Sequence, residues 1–190
     1  MHKPPYFDET QGFGEFERLE LGGHICKILR VEESQSRAGR DMVNIYLDIA
    51  EGDQKGYFMR SFENDTRENK KYGCIVYQVV VDDQGNTSKG FKTFVDAVEK
   101  SNPGFDKDAI WNDDFAGYFK NKLIGGVFGR EQYINRQGEP RWATKCVQFR
   151  DVETVRKGVD VPEDKYLTGQ NAKPGVHDFS VVDSGDDLPF

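Results

Sequence analysis

Met42-Val43-Asn44-Ile45-Tyr46-Leu47-Asp48-Ile49 sets the fold class. From Val43 onward the side chains take turns: Val43, Ile45, Leu47 and Ile49 to one side, Asn44, Tyr46 and Asp48 to the other. A period of two is that of a half-buried β-strand, not of a helix. Upstream, Glu33 to Asp41 is too polar to pack and contains Gly39, so it predicts a loop with Arg37 and Arg40 at its tip. Before that loop, Leu21 to Glu32 predicts a first strand. Gly22-Gly23 opens it and predicts a bend or bulge. Simple alternation puts Ile25, Lys27, Leu29 and Val31 on one face and Cys26, Ile28 and Arg30 on the other. Downstream, Lys55 to Phe62 predicts a third strand with aromatics on both faces. Tyr72 to Val81 predicts another extended run, closed by the turn Asp82-Asp83-Gln84-Gly85-Asn86.

A helix interrupts the strands. Phe91, Phe94, Val95 and Val98 recur at i, i+3, i+4 and i+7, the spacing of one buried stripe. Ser88 or Thr87 caps its start, and Asn102-Pro103-Gly104 stops it. Phe105 to Tyr118 holds acids and Trp111 without a strong period, a short second helix or a loop. Lys120 to Tyr133 and Arg141 to Val152 predict two closing strands. The connector Ile134 to Pro140 reads as a hairpin loop by its Asn, Gly and Pro. Gly125-Gly126 marks a further bulge or sharp curl.

Strands, one helix, then a long hairpin is the element order of an OB-fold. The expectation is a mainly β, OB-fold-like, curled five-stranded barrel with one main helix over residues 20–157. Residues 1–19 form an irregular, flexible N-terminal arm and residues 158–190 a flexible acidic extension ending in a protein-docking tip.

The chain has 190 residues and a net charge of −7, which at first argues against a nucleic-acid partner. The charge is unevenly placed. From Val159 to Phe190 seven acids face two lysines, a net of −5. From Phe115 to Arg150 seven bases face two acids, a net of +5. A basic segment followed by an acidic tail is the asymmetry expected of a nucleic-acid binder that carries its own anionic mimic. No apolar run approaches the about 18 residues of a membrane span, and the first residues lack the apolar core of a signal peptide, so a cytoplasmic protein is expected. Cys26, Cys74 and Cys146 lie far apart with no metal-ligand spacing, so buried free thiols are expected, with no metal or cofactor.

Single-stranded DNA binding needs cations that follow phosphates and rings on which bases stack, each stacked base contributing about 1–3 kcal/mol. In OB-folds the loops between strands one and two and between strands four and five flank the binding face. Here those loops hold Arg37 and Arg40, and Arg136. The strands add Tyr46, Tyr57, Arg60, Tyr118, Lys120, Lys122, Arg130, Tyr133, Arg141, Trp142 and Lys145. For any one ring, ordinary core packing competes with this reading. The chain ends Asp183-Ser184-Gly185-Asp186-Asp187-Leu188-Pro189-Phe190, a short acidic segment with a terminal aromatic. Leu188 and Phe190 suit a pocket, Pro189 limits the conformations lost on docking, and the aspartates suit a basic rim.

These residues carry a resemblance. Leu21 to Ile28, Lys89-Gly90-Phe91, Ser101 to Phe105 and Lys122 to Gly129 resemble OB-fold single-stranded DNA-binding proteins of phages and related mobile elements. Asp186, Asp187, Leu188, Pro189 and Phe190 resemble the acidic tip of bacterial single-stranded DNA-binding proteins, though less acidic. The resemblance implies a non-enzymatic protein that coats single strands and recruits replication or recombination proteins through its tip, in a host cytoplasm if phage-encoded. Two other readings compete. One is a metal-dependent nuclease using the acid pairs Asp82-Asp83 or Asp113-Asp114. The other is a phage interaction or structural module that binds no DNA.

Overall fold

The computed structural model describes residues 2–4 and 18–167. Its order is β1 (Gly22–Gln35), β2 (Asp41–Ile49), α1 (Tyr57–Asn64), β3 (Ile75–Val79), α2 (Lys89–Ser101), a 3-10 helix (Phe115–Phe119), β4 (Leu123–Ile134), β5 (Pro140–Arg150) and α3 (Val152–Lys157). The fold is mainly β. Five antiparallel strands form one sheet in the order β3-β2-β1-β4-β5. The sheet is not closed: among the described residues β3 and β5 remain its two edges.

The alternating stretch is a strand as predicted. Val43, Ile45, Leu47 and Ile49 are buried. Asp48, on the other phase, is buried too, because its Oδ1 accepts hydrogen bonds from the Ile49 and Phe58 amides. That second bond explains a correction. Lys55 to Phe62 is not a strand; its larger part is α1. Gly56 takes a left-handed φ of 73° just before the helix, and Asp48 satisfies one of the first free amides from outside the helix. Tyr57 and Arg60 therefore sit on a helix.

In β1 a bulge between Ile28 and Arg30 shifts the phase. Ile28 and Val31 end on the buried side with Cys26, and Arg30 is turned out opposite Tyr46. Two glycine pairs serve mainly a close approach. A Cβ on Gly125 would lie 2.5 Å from a Val155 methyl, and one on Gly23 2.5 Å from a Val159 methyl. Helix α3, which the sequence did not announce, and the residues after it pack onto those bare strand positions. The second register shift falls just past the glycines, at Val127/Phe128, where Val147 is the extra residue of β5.

Helix α2 matches its predicted stripe, with Phe91, Phe94, Val95 and Val98 buried. Ser88 caps it, accepting from the Phe91 amide at 3.2 Å. Asn102 ends it and ties it to the sheet. Its side-chain nitrogen donates to the Val98 and Leu123 carbonyls, and its Oδ1 accepts from the Leu123 amide. The helix packs on β3, β4 and β5. Phe94 stacks on Phe119 at 5.0 Å and meets Phe149 of β5 at 5.3 Å.

The three cysteines are free thiols. Burial pushes Cys26 and Cys74 well above the ordinary thiol range. It pushes Cys146, whose thiol is enclosed although the residue is partly exposed, up to about 12. No helix among the described residues is long and apolar enough to cross a membrane.

Candidate nucleic-acid interface

The β1–β4 ladder starts at Gly22 opposite Phe128, so β4 beyond Phe128 has no β1 partner. There β4 and β5 continue as a two-stranded ribbon to Ile134 and Pro140. Its turn is held by Asn135, whose Oδ1 accepts from the Gln137 and Glu139 amides, leaving Arg136 exposed at the tip. Arg130 pairs with Thr144 and Gln132 with Trp142, so Arg130 and Trp142 are diagonal neighbours on one face. The guanidinium sits 5.4 Å from the Trp142 ring centre, and Trp142 is 39% exposed. The opposite face carries Tyr133 across from Arg141 and Glu131 across from Ala143.

The ribbon's free flank is taken by the chain itself. The Lys165 amide donates to the Arg130 carbonyl and the Gln132 amide to the Lys165 carbonyl, both at 2.9 Å, a parallel bridge. The beginning of the segment read as a flexible extension is thus laid against β4 as far as Leu167. Asp164 pairs with Arg130, and the Tyr166 ring stands edge-on to Trp142 at 5.1 Å. Glu131 receives Lys145 at 2.6 Å and Lys165 at 3.3 Å. Burial works against the Glu131 charge, but these two lysines outweigh it and hold its carboxyl below the usual glutamate range. Arg141 pairs with Glu139 at 2.7 Å, both well exposed.

A second group lies on the other face of β1–β2–β3. The Arg30 guanidinium is 4.0 Å from the Tyr46 ring centre, Tyr46 donates to Glu32 at 2.8 Å, and Arg30 pairs with Glu32 at 3.2 Å. Partial burial, then the Glu32 carboxylate, pushes the Tyr46 phenol up. Tyr77, opposite Asn44, shares this face and is also raised by partial burial. Sequence reasoning missed Arg30 and Tyr77 as interface candidates. The bulge that aims Arg30 at Tyr46 leaves no trace in alternation, whereas Tyr77 was visible as a strand aromatic and passed over.

The remaining candidates are scattered. Arg37 is exposed in the first loop. Arg40 is largely covered and bonded to Asp83 at 2.8 Å, so it pins a turn. Within that turn Asp82 accepts from the Gln84 and Asn86 amides. Tyr57 packs edge-on to Phe58, and Arg60 bonds the Lys55 carbonyl. Tyr118, Lys120 and Lys122 line one groove of about 440 Å³ with Phe105. The loops bearing Arg37 and Arg136 lie at opposite ends of the β1–β4 ladder, so they flank the sheet without closing on each other. Thus the structure joins Arg130 and Trp142 on one face of the ribbon and Lys145, Tyr133 and Arg141 on the other. It joins Tyr118, Lys120 and Lys122 elsewhere, and leaves Tyr46 with Arg30. Asp183, Asp186, Asp187, Leu188, Pro189 and Phe190 lie outside the described residues, as does most of the N-terminal arm.

No family model matches the chain, and no curated protein is significantly similar to it. Among the described residues no group of three or more His, Cys, Asp or Glu side chains is placed to hold a metal ion.

Proposed function

We propose that the chain is a non-catalytic binder of single-stranded DNA, with an opened OB-like sheet as scaffold and the β4–β5 ribbon as its principal contact. The observation that carries this reading is the solvent-facing pair of Arg130 over Trp142 on a ribbon that projects past the core. A guanidinium and an indole side by side offer a phosphate contact and a stacking surface in one place. Arg136 at the turn, with Arg141 and Lys145 on the ribbon's other face, adds cationic character to the same hairpin. The strand order, with α2 between β3 and β4, supports the OB-like reading; the gap between β3 and β5 is where α2 and Phe94 sit. Arg30 and Tyr46 repeat the cation–ring pairing on the opposite face and supply a second contact. The tip Asp183–Phe190, which resembles that of bacterial single-stranded DNA-binding proteins, supplies a docking segment for replication or recombination proteins.

Gel retardation with oligo(dT), duplex DNA and poly(U) tests the reading. It expects oligo(dT) to be retarded ahead of duplex, with binding lost steeply as salt rises. No retardation of oligo(dT) at low salt would overturn it.

One observation favours a protein-docking reading beside this one. A groove of about 710 Å³ between the β1–β2 turn and α2 is lined by Phe91, Phe115 and a Trp111 that is 60% exposed. The charged residues on its lining are Glu33 and Asp41, the wrong sign for a phosphate.

A further inference from the structure

The segment that follows α3 occupies the Arg130–Trp142 corner in a way that maps a ligand onto it. Asp164 takes the guanidinium as a fork: Arg130 Nε donates to Oδ1 at 2.9 Å, and Nη2 donates to Oδ2. Two non-bridging phosphate oxygens take an arginine in the same bidentate way. Two residues further on, Tyr166 lays a ring against Trp142 at 5.1 Å and 83°. An anion and a ring, about 6–7 Å apart along an extended chain, are the two parts that a nucleotide presents to such a corner.

We propose that Arg130 and Trp142 form a one-nucleotide subsite, phosphate on Arg130 and base on Trp142, and that Asp164 and Tyr166 fill it until single-stranded DNA displaces them. The inference rests on the reading of the chain as a single-stranded DNA binder. The strap, residues 159–167, is held lightly enough to exchange. Tyr166 is 65% exposed, and beyond the seats of Val159 on Gly23 and Pro162 on Gly129 the strap is joined to β4 by two backbone hydrogen bonds and the Leu167 amide on the Gln132 side chain. Gly158, with φ of 101° and open space where a Cβ would be, stands at its root and serves as the hinge. With the strap seated, Arg130 is neutralised by Asp164, and Glu131 faces both Lys145 and Lys165. With the strap off, Arg130 is free for phosphate and Lys165 leaves Glu131 to Lys145 alone.

The test uses the full chain. Asp164→Asn with Tyr166→Ala removes both placeholders and leaves the subsite intact. Oligo(dT) affinity is expected to rise by about three- to tenfold, and the logarithmic salt slope to steepen by about one, because Arg130 then counts as a phosphate contact from the start. A second variant works in the opposite direction. An ideal Cβ on Gly129 lies 3.2 Å from the Pro162 Cβ, close to the about 3.5–4.5 Å of a disulfide. Gly129→Cys with Pro162→Cys then pins the strap when oxidised. The oxidised form is expected to bind oligo(dT) more weakly than the same protein after reduction. Unchanged affinity in both variants, with wild type binding oligo(dT), would overturn the strap and leave the DNA reading standing. Weaker binding by the Asp164/Tyr166 variant would make the strap part of the DNA surface, which also overturns it. No oligo(dT) binding by any form would sink the DNA reading itself.

Discussion

Replacing Gly125 by alanine is expected to destabilise the protein through one contact set. The added Cβ lies 2.5 Å from a Val155 methyl, 2.8 Å from the Arg150 carbonyl oxygen and 3.0 Å from the Asp151 carbonyl oxygen. A methyl can rotate away; two backbone oxygens move only if β5 or the start of α3 moves. Overpacking of this kind costs about 1–3 kcal/mol, and rigid backbone neighbours put Gly125→Ala near the upper end. For a domain of this size that lowers Tm by roughly 4–12 °C. Gly23 supplies the comparison. Its Cβ would meet only side-chain methyls, of Val159 at 2.5 Å and of Val155 at 3.1 Å, so Gly23→Ala is expected to cost about 1 kcal/mol. Adding Val155→Ala to Gly125→Ala removes one of the three contacts and is expected to give no full recovery. Urea unfolding followed by circular dichroism measures all four proteins. Equal stability of Gly125→Ala and wild type, or a larger loss at Gly23 than at Gly125, would refute the account of how α3 seats on the sheet. Because α3 leads into the strap, Gly125→Ala is also expected to raise oligo(dT) affinity.

Further outcomes follow from other parts of the fold. Asn102→Ala removes three side-chain bonds, two of them to Leu123 of β4 and one to the Val98 carbonyl of α2, and is expected to cost about 2–3 kcal/mol in a thermal melt, well beyond Ser88→Ala at about 1 kcal/mol. Glu131 has a lowered folded pKa, so its contribution is complete above the unfolded glutamate value of about 4.3 and is lost as pH falls through the folded value. Stability measured from pH 6 down to pH 3 should fall more steeply for wild type than for Glu131→Gln; parallel curves would contradict the Lys145–Glu131–Lys165 arrangement. Deleting Asp183–Phe190 is expected to strengthen oligo(dT) binding while abolishing recruitment of a replication or recombination partner in a pull-down; weakened DNA binding would count against the tail's proposed role.

Much of the scaffold is legible in the sequence because its signals are local. The Phe91-Phe94-Val95-Val98 stripe with Ser88 before it and Asn102 after it defines α2, and strict alternation defines β2. The features that escape are set by distant partners. The segment at Lys55–Phe62 has strand-like composition, yet it becomes α1 because Asp48, ten residues away, satisfies the Phe58 amide. Alternation alone misassigns β1 past Ile28, since the bulge there is fixed by pairing with β2. The glycine pairs announce something unusual, but only the packed α3 shows that Val155 needs the space. The candidate site was legible as a residue inventory of cations and rings. Its grouping was not: Arg130 with Trp142 follows from the β4–β5 register, Arg40 is spent on Asp83, and Asp164 and Tyr166 join the corner through a bridge between segments 34 residues apart.

The most direct measurement is Trp142 fluorescence on titration with oligo(dT), made in a Trp111→Phe background so that a single tryptophan reports. The account expects strong quenching that reverses on adding salt, and oligo(dT) binding, scored by retardation, weakened about 5- to 150-fold in Arg130→Ala/Trp142→Ala. Unquenched Trp142 emission at saturating oligo(dT) and low salt would contradict it.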